Sequence, residues 1–258
     1  ARCSLGKPGE FYSEELLYQM FGINAELLID HAWGCESCTI AQIRAYKPQS
    51  SSLGCGQVLH CPYTADKARI VVQEMIDGIS LELVEKRLVT DQLVLTVGYD
   101  IENLTRPEIR KVYKGPVTTD RYGRRVPKHA HGTWNLPRAT SSSSELLEAM
   151  AALYDKIVNP ALLIRRMSLS ACHVVNEKMA KEREQKETFE QLDLFTDYAK
   201  KEAKEKEEQK KRERERRMQE ALLTIKKKYG KNAVLRGMNF EEGATAKERN
   251  GQIGGHQA

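Results

Sequence analysis

The sequence predicts an α+β fold in three stretches: a helical piece over 1–47, a sheet domain over 48–176 and a charged tail over 177–258. Three observations lead there. The run VTDQLVLTVGY (89–99) alternates apolar and polar residues, as a half-buried strand does. Two longer stretches, 64–88 and 144–158, place their apolar residues at helical spacing instead. Read in order, strands and helices follow one another as β-α-β-β-α-β, the split-βαβ arrangement, in which a four-stranded sheet carries two helices on one face. The other face of such a sheet is open, and an open face is a place to bind something.

The helical piece comes first. Leu16, Leu17, Met20 and Phe21 fall at helical spacing, with Ser13 placed to cap the helix and Gly22 to stop it. Residues 24–33 repeat the pattern with Leu27, Leu28, Ala32 and Trp33 inward, and Gly34 closes it. Packing alone accounts for such a hairpin. Contact between the amides of its glycine turn and a DNA phosphate is the functional alternative.

The sheet domain begins with a strand over 51–61, carrying Leu53, Val58 and Leu59. The helix over 64–88 takes Thr64 as its cap and Ile70, Val71, Met75, Ile79, Leu83 and Val84 as its apolar stripe, weakened at Gly78. The strand over 89–99 follows, then a polar excursion over 101–128 and a third strand over 129–140. The second helix turns Leu146, Leu147, Met150, Leu153 and Ile157 inward and ends before Pro160. LIRRMSLSACHVV (163–175) is the last strand.

Several basic residues fall where they can line the open face or its rim. Arg124, Arg125 and Lys128 lead into the third strand, Arg138 stands at its far end, and Arg165 and Arg166 lie on the fourth. Adjacent strand residues point to opposite sides, so only one of Arg165 and Arg166 can face the open surface. With the backbone of Ser50, Ser51 and Ser52 at the first strand's entry, these are the candidate phosphate contacts. Solvated surface charge is the plainer account of them.

Net charge is +5 over 258 residues, which permits a nucleic-acid partner without demanding one. No apolar run approaches the ~20 residues of a membrane span. The charge density peaks over 177–231, where Glu202/Lys206, Glu207/Lys211, Glu208/Arg212 and Glu213/Arg217 are spaced as i,i+4 pairs. Each such pair contributes about 0.2–0.5 kcal/mol. With hardly any apolar stripe before Met218, this helix is expected to be a solvated spacer, and the Gly-rich 230–258 is expected to be disordered.

The six cysteines come without a secretory signal, so reduced cytosolic thiols are the default. Cys35-x-x-Cys38, with Cys55 and Cys61, can be read as four zinc ligands, although the second pair is not a tight knuckle. Inside the charged stretch stands Gln191-Leu192-Asp193-Leu194-Phe195, with three large apolar side chains and no apolar run nearby. That suits a short linear motif whose anchors enter pockets on a partner, or else a solitary turn of helix folding back on the domain.

The run LGKPGEFYSEELLYQMFGINAELLIDHAWGCES, followed by KPQSSSLGCGQVL, resembles the thumb and the start of the little finger of Y-family translesion DNA polymerases. The likeness is to the UmuC-like or polymerase IV-like branch of Firmicute bacteria. IRRMSLSACHVV is similar to the last strand of that little finger, QLDLF looks like the peptide that grips the sliding clamp, and GMNFEEGATAKERNGQIGGHQA is similar to the tail of the same branch. The resemblance implies a thumb portion, a little finger and a clamp-docking tail, acting in DNA repair and SOS-type damage tolerance. The implied partners are template-primer duplex DNA and the bacterial clamp, for a monomer in the cytoplasm at the nucleoid. In that family, palm carboxylates hold two Mg²⁺ ions; their DxD-like and Ser-x-Asp-Glu settings are not found in this sequence. The chain is therefore expected to need no cofactor of its own and to be inactive alone. A stand-alone clamp and DNA adaptor, or a zinc-containing nucleic-acid module, are the alternatives.

Overall fold

In the computed structural model, residues 13–36, 38–46, 51–120, 123–187, 198–253 and 256–257 are described, the side chains of 112, 184–187, 198–205 and those beyond 251 excepted. The class is α+β, and the chain divides into two units, 1–49 and 50–258.

The first unit is helical. In α1 (Glu14–Phe21) the Ser13 hydroxyl accepts the Leu16 amide at 3.3 Å. Gly22, at φ 58°, ends it. The Gly22 amide donates to the Tyr18 carbonyl at 2.8 Å, so it closes the helix rather than facing a ligand. After α2 (Asn24–Ala32) comes α3 (Ile40–Ala45), opened by a reciprocal capping box between Thr39 and Gln42. Among the described hydrophobic residues of this unit only Leu17 and Ala25 are buried. Leu16, Met20, Phe21, Leu27, Leu28 and Trp33, expected inward, are 40–63% exposed. Helices this short share too little surface to cover one another.

The second unit is built on β1 (Leu53–Tyr63), α4 (Ala65–Lys86) and β2 (Leu88–Tyr99). The polar excursion then folds into α5 (Glu102–Thr105), α6 (Pro107–Val112) and a hairpin of β3 (Val117–Thr119) with β4 (Arg125–Pro127). Next come β5 (Ala130–Thr140), α7 (Ser143–Ile157) and β6 (Ile164–Cys172), and the short β7 (Val175–Asn176) pairs with the start of β2. The long strands lie in the order β1-β6-β2-β5, antiparallel throughout. Each β-α-β connection therefore passes over one intervening strand. Both edge strands contain a proline, Pro62 and Pro137, which blunts them against further pairing.

The pleat decides the core. Leu93, Leu95 and Val97 of β2 and Met167, Leu169 and Ala171 of β6 are at most 2% exposed and lie in one core with α4 and α7. Thr64 stands at the N-cap of α4, but its side chain makes no capping bond; Ser142 does make one for α7, to the Glu145 amide at 3.3 Å. Gly132 on β5 lies against α7. A Cβ there would come within 2.7 Å of Ile157 Cγ2 and 2.9 Å of Leu153 Cδ1. Gly132→Ala is expected to cost about 1–3 kcal/mol by overpacking. Urea unfolding checks this, as a lower midpoint with an unchanged slope.

The C-terminal stretch departs from expectation. Beyond α8 (Glu177–Glu187), the long α9 (Tyr198–Tyr229) packs on α4. Its contact stripe is Arg212, Glu215, Arg216, Gln219, Leu222, Leu223 and Lys226, at helical spacing and mostly polar. The Glu215 carboxylate accepts the Ser142 hydroxyl at 2.6 Å and the Ser144 amide at 2.8 Å, capping α7 from outside. Gln219, 1% exposed, donates to the Ser141 carbonyl and the Ser143 hydroxyl. Further on, a 3₁₀ turn (Gly237–Phe240) and α10 (Ala246–Arg249) are fastened to α4 through Glu74. Arg236 pairs with Asp77 at 2.7 Å, and Gln57 of β1 donates to the Thr245 hydroxyl at 2.9 Å. The expected solvated spacer and disordered tail are thus docked over their described parts. The reason is that hydrogen bonds, not an apolar stripe, hold them.

Candidate nucleic-acid interface

The face of the sheet away from the helices is uncovered. Its residues form cross-strand rows fixed by the register. Gly54, Ser170, Val94 and Thr133 make one row, Gly56, Ser168, Thr96 and His131 the next, and Val58, Arg166 and Gly98 the third. Val58 is 72% exposed, and Gly54, Gly56, Ser168, Arg166, His131 and Thr133 are exposed with it. No carboxylate stands in these rows. They offer hydroxyls, glycine backbone, one imidazole and one guanidinium, a set that suits an anion. The Thr96 hydroxyl and His131 Nδ1 share a hydrogen bond of 2.9 Å, and Gln92 donates to Asn135 at 2.9 Å beside the first row. These bonds hold the polar side chains upright on the sheet.

Arg166 has no ion-pair partner among the described residues. It lies flat along Gly98, where a Cβ would meet its Cγ and Nε at 2.6 Å. The glycine makes room for a guanidinium folded across the sheet floor. Arg165 turns elsewhere, at an irregularity in the β2–β6 register between Gly98 and Tyr99. It donates to the His60 carbonyl at 3.1 Å and sits 3.7 Å from Asp100. The two adjacent arginines thus separate as strand alternation requires.

Beside Arg166 a recess of about 500 Å³ runs to the β3–β4 hairpin, lined among others by Val58, His129, Arg165 and Arg124, with Asp100, Glu102 and Asp120 on its far wall. Arg124 is engaged by Asp120 at 2.9 Å, so its charge closes the hairpin turn. Arg125 and Lys128 are exposed along the hairpin and its exit. Arg138 does not join them. It shares the helix-facing side of β5 with Trp134 and Leu136 and pairs with Glu145 of α7. Alternation along β5 carries it away from the open face. The Ser51 hydroxyl and carbonyl both engage the backbone of Val174, tying down the first strand's entry, while Ser52 is exposed. Ser50 and the peptide Gln191–Phe195 lie outside the described residues.

The cysteines do not gather. Cys35 and Cys38 are exposed in the first unit, and Cys61 is exposed on β1. Cys55 is half-buried on the helix-facing side of the sheet, and burial pushes its thiol up, away from the thiolate a metal requires. Among the described residues no group of three His, Cys, Asp or Glu is placed to hold a metal. Sequence reasoning named the charged candidates but not Thr96, His131, Ser168 and Ser170. Their signal was present in RMSLSAC, where small polar residues alternate with Met167, Leu169 and Ala171. No helix is long and apolar enough to cross a membrane among the described residues. Compared with protein-family models and with curated proteins, the chain has no match in either.

Proposed function

We propose that the second unit holds template-primer duplex DNA against its open sheet face, as the little finger of a Y-family lesion-bypass polymerase, and that residues 191–195 tether it to a sliding clamp. In this reading the first unit is part of the thumb. The observation that carries the proposal is a carboxylate-free sheet face whose one guanidinium, Arg166, is unpaired and laid across a glycine. Arg125 and Lys128 extend the same positive edge. The chain contributes grip rather than chemistry. The contacts are to phosphate, so affinity falls steeply with salt and depends little on sequence.

Arg166→Gln tests this directly. Binding of primed duplex, followed by fluorescence anisotropy across a salt series, should weaken. The slope of log K against log salt should fall by about 0.9, the loss of one phosphate contact. An unchanged slope removes the sheet face from the interface.

A further inference from the structure

A second cationic surface lies on α9, on the side turned away from the domain. The docked stripe of this helix uses its carboxylates. Glu215 is taken by Ser142 and Ser144, Glu208 by Arg212 at 3.1 Å and Glu220 by Arg216 at 3.1 Å. Glu213, spaced to pair with Arg217, instead accepts Gln209 at 3.4 Å. What remains outside is a ridge at helical spacing: Lys210, Arg214, Arg217, Ala221, Thr224 and Lys228. Every member is exposed and none is acidic. Lys210, Arg214 and Arg217 have no ion-pair partner among the described residues, and Lys228 only overlies the Tyr229 ring. From Lys210 to Lys228 the ridge is about 27 Å long at the α-helical rise. That is most of one turn of duplex, about 34 Å.

From this we infer that the outer ridge of α9 is a second nucleic-acid contact, made to the phosphate backbone of duplex DNA and separate from the sheet face. Charge complementarity names the occupant. A row of unpaired cations with no carboxylate between them matches a regular polyanion. The uncharged members are Ala221 and Thr224, so the ridge has no large apolar side chain to insert into a lipid surface. Sequence alone hides it, because Lys, Arg and Glu alternate along the chain. Only the docking of α9 assigns the carboxylates to one side and leaves the cations on the other.

The test uses the full chain with Lys210→Gln, Arg214→Gln, Arg217→Gln and Lys228→Gln combined, since glutamine preserves helix propensity. Circular dichroism should be unchanged. Duplex binding at low salt should weaken at least tenfold, and the salt slope should fall by about 3. Arg166→Gln measured alongside separates the two surfaces: its failure removes the sheet face and leaves the ridge intact. Unchanged affinity and slope in the fourfold variant overturn the inference. So does a variant that keeps duplex binding but no longer binds vesicles of anionic phospholipid, which would assign the ridge to a membrane surface.

Discussion

Glu74→Ala is expected to release the C-terminal segment from the sheet domain. Glu74 is 3% exposed, in the middle of α4. Its carboxylate accepts Asn239 Nδ2 at 2.8 Å, the Thr245 amide at 2.8 Å, the Thr245 hydroxyl at 3.2 Å and the Ala246 amide at 3.0 Å. Two of these donors are backbone amides buried with it. Truncation leaves them without an acceptor and without water. Removing a charged acceptor that serves several buried donors costs about 3–5 kcal/mol. The loss should be local, because the strands and α7 make none of these bonds. Hydrogen exchange checks it. The Thr245 and Ala246 amides should exchange at least a hundredfold faster, while Leu93 and Leu95 in the central strand keep their protection. Glu74→Gln retains one acceptor oxygen and should fall between. Slow exchange at Thr245 in the alanine variant would mean that something other than Glu74 holds the tail.

The second large effect concerns the partner. Leu194→Ala with Phe195→Ala should abolish detectable binding to a bacterial sliding clamp. Apolar anchors of a short peptide carry most of its binding energy, about 2 kcal/mol or more each. Losing two anchors weakens binding by about a thousandfold. Duplex binding by the same variant should be unchanged, because neither the sheet face nor the α9 ridge includes these residues. Surface plasmon resonance against immobilised clamp, with anisotropy on duplex in parallel, separates the two. Equal loss of both activities would remove the peptide from its assigned role.

How far the fold was legible depended on what kind of contact made each element. The alternation in VTDQLVLTVGY became β2, with Leu93, Leu95 and Val97 buried as spacing required. The stripe through Leu146, Met150 and Leu153 became the buried face of α7. In α4 the expected stripe was real but too narrow. Val72, Ile76 and Leu81 lie off it and are buried as well. A helix apolar around most of its circumference is covered on more than one side, and that was the readable hint that something packs behind α4. What packs there was not readable. Gln219, Glu215, Arg216 and Thr245 look like solvated residues until their hydrogen-bond partners are in place.

The candidate site divides in the same way. Adjacency forced Arg165 and Arg166 apart, and the strand did so. Arg138 was placed by its charge, and the phase of β5 turned it to Glu145 instead. By itself the sequence determined the α+β class, the strands, the two core helices and the opposition of a charged face to an apolar one. Those features follow from spacing along a single element, where side-chain direction is periodic. Tertiary structure alone decided that the C-terminal segment docks, which charges are neutralised and which are left free for a partner. Ion pairs and buried hydrogen bonds join residues distant in the chain, such as Glu74 with Thr245, and no local period records them.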